Sequence, residues 1–186
     1  MKKIFLLATA AFILAGCSLT AGPKAADGGI WKSTDTGKTW THSVAVPVIG
    51  GKTASIANTD VRRITFDPQD HNTIYLSTEK NGIVYSYDGG NTWRSFKELN
   101  TGKVRAVAVD TKNKCTLYAL MDNKLFKSMD CGRFWKNAYY HQNTETVLTD
   151  IKVDWYNNSI LYLVTSAGEI LKSASAGETW FSVKDV

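Results

Sequence analysis

The sequence predicts an all-β protein built from one repeated unit of four short antiparallel strands. An octad ending in Trp occurs four times, and short apolar runs alternate with turn residues between its copies. No segment after residue 17 has helical periodicity. A four-stranded unit of about 40 to 50 residues is typical of a β-propeller blade, so the predicted fold class is a β-propeller.

The octads read "STDTGKTW", "SYDGGNTW", "SMDCGRFW" and "SASAGETW", and successive copies begin 42 to 53 residues apart. The Asp of the first three is suited to accept backbone hydrogen bonds in a turn, and the fourth has Ser175 at that position. The Gly of each octad permits a positive φ, and the Trp offers a large apolar face. Repetition with drift favours a structural role at the turn between strands C and D. The predicted structural residues are Ser33, Asp35, Gly37, Thr39, Trp40, Ser86, Asp88, Gly90, Thr92, Trp93, Ser128, Asp130, Gly132, Trp135, Ser173, Gly177, Thr179 and Trp180.

Two further strands precede the last three octads. Strand A reads "ITFD", "VAVD" or "IKVD", and strand B reads "TIYLST", "TLYALM" or "ILYLVT". Each strand A ends in an Asp that lies eight residues before a strand-B Tyr. This constant spacing predicts full blades at residues 62–98, 104–140 and 149–186, and a half blade with strands C and D alone at 29–47.

About 3.5 blades is fewer than the usual four to eight. We therefore expect a fragment of a six- to eight-bladed propeller, completed by further C-terminal blades, or a chain that assembles with another one. The connection from Trp40 to Ile64 is about ten residues longer than its counterparts. In this architecture the D–A and B–C connections share the face where ligands usually bind, and the octads lie on the opposite face.

The N-terminus predicts export and lipid attachment. Residues 1–16 combine a basic start with a short apolar run typical of a signal peptide, and "LAGC" places Cys17 at the lipidation position of a bacterial lipoprotein. An ordinary signal peptide with a chance Cys is the alternative. Residues 17–28 predict a tether and residues 29–186 the propeller. Ser18 favours the outer membrane if the cell is Gram-negative, so the predicted location is the bacterial cell envelope.

The remaining cysteines, Cys115 and Cys131, are an even pair in an exported domain and lie symmetrically about a predicted hairpin. They predict a disulfide, with two free thiols as the alternative. The histidines His42, His71 and His141 have no metal-ligand spacing, so no metal and no cofactor is expected.

The pattern S-x-D-x-G-x-T-W resembles the Asp-box, or BNR repeat, of sialidase-type and sortilin-type β-propellers. Together with "DP" and "NTIY" upstream, it resembles photosystem II stability/assembly factor-like propellers and xyloglucan-cleaving glycosidases. The resemblance covers residues 29–186. It implies the fold, and it allows several functions because one fold hosts many.

The function classes follow from charge and from missing motifs. The net charge is +5, but the sequence has no Lys/Arg run. Together with export, this argues against nucleic acid as a partner. Arg62, Arg63 and Arg105 predict a small basic patch for a carboxylate-bearing ligand, with scattered solvated arginines as the alternative. No carboxylate pair stands out for glycoside hydrolysis. We therefore expect a non-catalytic, membrane-anchored scaffold that binds protein or glycan, with an assembly or stability role. The alternative is a partial sialidase-like or xyloglucanase-like glycosidase.

Overall fold

A computed structural model describes residues 28–47 and 54–183 of the protein. Within these ranges the regular elements are β-strands, and the main sheets each contain four antiparallel strands. The predicted all-β fold of four-stranded blades is therefore confirmed. The predicted signal peptide, Cys17 and nearly all of the predicted tether lie outside the described residues. In the described part of the chain, no helix is long and apolar enough to cross a membrane.

The first octad joins the two strands of a half-blade, β1 (Ile30–Lys32) and β2 (Thr41–Ser43), as the sequence predicts. The long connection that follows contains a second small hairpin, β3 (Ala45–Val46) and β4 (Ala54–Ser55), which the sequence analysis did not predict. This hairpin forms because its apolar residues have a core to join. Ile56 is 6% exposed and packs with Val44 and Val46 against the next sheet.

Three blades follow, each with strands in the order A, B, C, D. Blade 1 consists of β5 (Val61–Asp67), β6 (Asp70–Thr78), β7 (Ile83–Ser86) and β8 (Arg94–Ser95). Blade 2 consists of β9 (Val104–Val109), β10 (Leu117–Met121), β11 (Lys124–Ser128) and β12 (Lys136–Tyr140). Blade 3 consists of β13 (Leu148–Val153), β14 (Leu161–Thr165), β15 (Ile170–Ser173) and β16 (Phe181–Ser182).

The core lies between neighbouring blades. In β10, Leu117 and Ala119 pack towards blade 1, whereas Tyr118 and Leu120 pack towards blade 3. Successive residues of a strand point to opposite faces of its sheet, so both faces of blade 2 are covered. This explains why strand B is a continuous apolar run and does not alternate with polar residues.

Each Asp-box folds into the turn between strands C and D through its own polar side chains. In the second box, Asp88 Oδ1 accepts hydrogen bonds from Ser86 Oγ at 2.7 Å and from the Thr92 backbone N–H at 2.8 Å. Ser86 Oγ accepts the Gly90 N–H at 2.8 Å, and the Gly90 φ is 83°. These hydrogen bonds provide partners for backbone N–H groups of the turn that are not paired within the sheet. The box is therefore a self-contained structural turn.

The degenerate boxes keep this geometry. Ser175 replaces Asp in the fourth box, and its Oγ accepts the Thr179 N–H at 2.9 Å. Phe134 replaces Thr in the third box, and its backbone N–H still reaches Asp130 Oδ1 at 3.0 Å. Only backbone groups of the turn must be satisfied, so the side chains at these positions can vary. Phe134 itself is 68% exposed.

The hydrogen bonds of the boxes predict a loss of stability at acid pH. Hydrogen bonds from Thr39 lower the pKa of Asp35 from 3.8 to about 2. Burial raises the pKa of Asp88, but its hydrogen bonds from Thr92 outweigh this effect and lower it to about 2. A lowered native pKa stabilises the fold above the unfolded pKa, and this stabilisation is lost as pH falls from about 4 to about 2.

Urea unfolding at pH 5, 3.5 and 2.5 measures this effect. Asp88→Asn should lower the free energy of unfolding at pH 5, and its stability should then fall less steeply below pH 4 than that of the wild type. Equal slopes in the two proteins would contradict the assignment.

Cys115 and Cys131 form a disulfide in the structure. The bond joins the turn before β10 to the third Asp-box, where the Cys131 N–H also donates to the Cys115 carbonyl at 2.9 Å. It closes a loop across 16 residues of sequence. A disulfide that closes a loop of this size lowers the conformational entropy of the unfolded chain and typically stabilises a fold by about 3 kcal/mol.

Candidate functional site

Charged side chains gather where the A strands of the three blades begin. We call this group the strand-A cluster. It lies on the face formed by the D–A and B–C connections, opposite the Asp-boxes. Its members are Arg62, Arg63, Glu79, Lys103, Arg105, Asp150 and Lys152.

Asp150 is the central carboxylate of the cluster. Arg63 Nη1 donates to Asp150 Oδ1, and Lys152 Nζ lies 3.6 Å from Asp150 Oδ2. Arg63 belongs to blade 1 and Asp150 to blade 3, so the pair joins two blades that are not consecutive. Burial raises the pKa of Asp150, but the hydrogen bond from Arg63 and the charge of Lys152 outweigh this and lower it. Asp150 is therefore ionised at neutral pH.

Glu79 forms the second group of ion pairs. It accepts a hydrogen bond from Lys103 Nζ at 2.7 Å and another from Arg62 Nη1. These two hydrogen bonds, that of Lys103 first, lower the pKa of Glu79. Glu79 lies in the B–C turn of blade 1, between β6 and β7, and it is likewise an ionised carboxylate at neutral pH.

Arg105 lies on β9, between the blades that hold the two carboxylates. Among the described residues it makes no hydrogen bond or ion pair, and its Nε is buried without a partner. The predicted patch of Arg62, Arg63 and Arg105 is thus divided. Arg62 and Arg63 form ion pairs with carboxylates. The N–H donors of Arg105 have no partner among the described residues.

The cluster supplies ionised carboxylates and cationic donors to a ligand. Its five cations outnumber its two carboxylates, so its net charge is positive. Burial raises the pKa of Asp67, but this residue lies at the opposite end of β5, at the turn to β6. Within residues 28–47 and 54–183, no three potential metal-binding side chains come together.

Asp150 was not among the site residues predicted from the sequence. A signal was present, because Asp150 occupies the repeat position that Arg63 has in blade 1 and Ala106 has in blade 2. Opposite charges at one repeat position of two blades can meet near the propeller axis. The preceding repeat position, by contrast, holds Arg62, Arg105 and Thr149 and has no carboxylate.

Two family models match the chain. The model described as sortilin, neurotensin receptor 3, matches residues 28–137, which is more than half of the chain. The model of the prokaryotic membrane lipoprotein lipid attachment site matches residues 1–18. The second match supports the predicted lipid anchor, and the protein is a lipid-anchored bacterial protein.

A curated relative, the probable oligoxyloglucan-reducing end-specific xyloglucanase of Neosartorya fischeri, is 27% identical over 191 residues. The match covers 98% of this chain and 23% of the relative, so the chain spans about a quarter of that protein's length.

Among solved structures, the GH74 enzyme of Niastella koreensis aligns with a TM-score of 0.61 and 21% identity, over 84% of this chain and 26% of that one. YCF48 from Cyanidioschyzon merolae aligns with a TM-score of 0.56 and 17% identity, over 67% of this chain and 37% of that one. YCF48 is also known bound to a D1 peptide. At these identities, the alignments show the fold.

The expectation that the chain is not an enzyme is wrong. The curated relative that matches almost the whole length of this chain is a xyloglucanase. GH74 enzymes share the fold of this chain. The expectation rested on the lack of a complete pair of catalytic carboxylates in this sequence. The chain spans only about a quarter of the relative's length, so such a pair need not lie within it.

The four Asp-boxes, the four-stranded blades and the match over residues 28–137 lead to one assignment: the chain belongs to the sortilin (Vps10) family of Asp-box propellers.

Proposed function

We propose that this chain is part of a lipid-anchored glycoside hydrolase that acts on xyloglucan-type β-glucans at the strand-A cluster. In this proposal, residues 1–16 are the signal peptide and residues 17–28 are the lipidated tether. The protein is located in the outer membrane if the cell is Gram-negative. The observation that carries the proposal is the 27% identity to a xyloglucanase along 98% of the chain. The proposal concerns the part of such an enzyme that this chain matches, which is 23% of the relative.

The chemistry of the cluster supports this proposal. Glycosidases need one carboxylate that is ionised and a second that is protonated when the sugar binds. Arg63 and Lys152 keep Asp150 ionised, which suits the role of base or nucleophile. The protonated partner has no candidate among the described residues of the cluster, because the pKa of Glu79 is lowered as well. We assign the acid to another blade of the propeller.

The donors around Asp150 suit a sugar chain. Arg105 and Lys103 carry N–H groups that can donate to sugar hydroxyl and ring oxygens. The side chain of Arg105 donates no hydrogen bond to the described residues. A ligand can therefore bind to it without breaking an existing hydrogen bond or ion pair among these residues. We therefore expect Arg105 to contribute to binding and Asp150 to turnover.

Asp150→Asn tests the assignment. The substitution keeps the size and an acceptor oxygen but removes the charge, so xyloglucan oligosaccharides should still bind while kcat falls by about 10²- to 10⁴-fold. The measurement is reducing-end release by the lipidated protein with its complete set of blades, together with calorimetric binding.

Glu145→Gln is the matched control, because Glu145 is an exposed carboxylate in a connection on the same face. Its kcat should stay within about twofold of the wild type. An Asp150→Asn variant with unchanged kcat would remove Asp150 from the mechanism. Absence of turnover on xyloglucans by the wild type would refute the proposed activity.

Peptide binding at the same cluster is the second candidate function. It is favoured by the propeller YCF48, which binds a D1 peptide, and by the cationic donors that Arg105 offers to a carboxylate. In the same calorimetric experiment, an acidic peptide that competes with xyloglucan oligosaccharides would favour this function. Saturable peptide binding without any glycan binding would replace the first proposal by the second.

A further inference from the structure

Large apolar side chains are exposed on the face of the Asp-boxes, opposite the strand-A cluster. On the A–B turn of blade 3, Trp155 and Tyr156 are 64% and 85% exposed. On the third Asp-box, Met129 and Phe134 are 64% and 68% exposed, and Tyr87 of the second box is 49% exposed. The A–B turns and the Asp-boxes lie at the same end of their antiparallel sheets, so these five side chains share one face. We call them the turn-face patch.

Contacts between the turns make this face continuous. The A–B turn of blade 2 is joined to the third Asp-box by the disulfide. It is joined to the A–B turn of blade 3 by a hydrogen bond from Thr111 Oγ1 to the Asp154 carbonyl at 3.2 Å. Met129 and Phe134 line a groove that reaches Ala176 of the fourth box. The patch therefore lies on one surface formed by turns that are fixed to each other.

The turns do not need these side chains. At the repeat positions of Trp155 and Tyr156, the other two A–B turns have "PQ" and "TK". The turn of blade 3 is closed by its backbone instead, since Asp154 Oδ1 accepts the Tyr156 N–H at 2.9 Å. Phe134 stands where the other boxes have Thr, and the third box uses only its backbone N–H. Large exposed apolar side chains that the fold does not require indicate a contact outside the domain.

Exposed cations surround the patch. On the turns of the three blades these are Lys112, Lys114 and Arg133, and the exposed acids are Asp88 and Glu178. The other carboxylates of these turns are at least partly buried and accept N–H groups of their own turns. Trp and Tyr are enriched where a membrane meets water, and Lys and Arg are attracted to anionic lipid headgroups. The composition of this face therefore suits a lipid surface.

The lipid anchor of the same chain brings a bilayer within reach of the patch. Residues 1–18 match the lipid attachment site, and the ten residues 18–27 separate Cys17 from Gly28. Ten residues can span at most about 35 Å, whereas a strand of seven residues such as β5 is about 23 Å long. The anchor thus allows the turn face to reach the bilayer, but it does not decide which face of the domain does so.

We infer that the turn-face patch rests on the membrane, with Trp155 and Tyr156 at the level of the lipid headgroups. Arg133 and Lys114 then lie beside the lipid phosphates, with which their side chains form ion pairs. In this orientation the strand-A cluster points away from the bilayer and stays open to its ligands. The inference does not depend on the proposed activity, because it concerns the opposite face of the domain.

Quenching by brominated lipids tests this orientation. The lipidated chain is reconstituted in vesicles of phosphatidylethanolamine and phosphatidylglycerol, in which part of the lipid carries bromine close to the headgroup. Bromine quenches Trp fluorescence only at short range, so the protein should be quenched and Trp155→Ser should remove most of this quenching. Trp31→Ser is the control, because Trp31 is 51% exposed but lies within strand β1 of the half-blade, and the quenching should persist.

Charged substitutions test the contact itself. Met129→Asp and Phe134→Asp each place a carboxylate where the patch meets the lipid, so each should reduce the quenching about twofold or more. Both side chains are exposed, so the variants should fold normally, which circular dichroism checks. Tyr140→Asp is the matched control, since Tyr140 is 49% exposed at the opposite end of β12, and its quenching should equal that of the wild type.

Absence of quenching in the wild type would overturn the inference, as would equal quenching in the wild type and in both patch variants. Acrylamide, a water-soluble quencher, distinguishes a protein partner. If Trp155 stays accessible to acrylamide in the vesicles but is shielded in native envelopes, the patch belongs to a protein interface, and the inference is likewise overturned.

Discussion

Replacing Trp93 by alanine should lower the free energy of unfolding by about 3–5 kcal/mol, the range measured for large aromatic residues in protein cores. Trp93 is fully buried and packs with Ile74, Leu76 and Val84 between the half-blade and blade 1. Its indole N–H donates to the Ser43 carbonyl at 2.8 Å, which the substitution would leave without this partner. Since whole domains are stable by about 5–15 kcal/mol, the loss is a large share. Urea unfolding followed by circular dichroism measures it.

Trp40→Ala is the matched control for this prediction. Trp40 has the same position in the first Asp-box, but it is 57% exposed and donates only to Gly37 of its own turn. Its removal should cost less than about 1 kcal/mol, as is usual for surface positions. Equal losses in the two variants would show that the box Trp acts within its turn and not between blades.

The fold could be predicted from sequence because its signals are local and repeated. Each blade carries the same alternation of apolar runs and turn residues, and each Asp-box builds its turn from residues within eight positions. The loop between Met121 and Lys124 illustrates this, because Asp122 and Asn123 both have a positive φ, which these residue types accept more readily than most. Local chemistry therefore fixed both the strand order and the turns.

Contacts between blades could not be read in the same way. Trp40 and Trp93 have nearly identical neighbours in sequence, yet one is exposed and the other buried, because only the packing of the neighbouring sheet distinguishes them. The Arg63–Asp150 ion pair joins residues that are 87 positions apart. The candidate site depends on such contacts, so its arginines were predicted from sequence and its central carboxylate was not.

The Asp-box glycines combine both levels, and Gly132→Ala should expose this with a loss of about 2–5 kcal/mol. Gly132 has a φ of 82°, where a side chain costs about 1–2 kcal/mol. An added Cβ would also overlap the ring of Phe96, which is 5% exposed between blades 1 and 2. Forcing such a ring to move adds about 1–3 kcal/mol.

Gly37→Ala separates the two causes. Gly37 has the same position in the first box and a φ of 86°, but the nearest atom to its added Cβ is Trp40 Cζ2 at an ordinary 3.8 Å. This variant should lose only the backbone contribution of about 1–2 kcal/mol. The difference between the two free energies of unfolding then measures the close approach of the third Asp-box to blade 1. If the two losses were equal, the box Gly would serve only its own turn, and the packing of each box against the preceding blade would not depend on the absence of a side chain there.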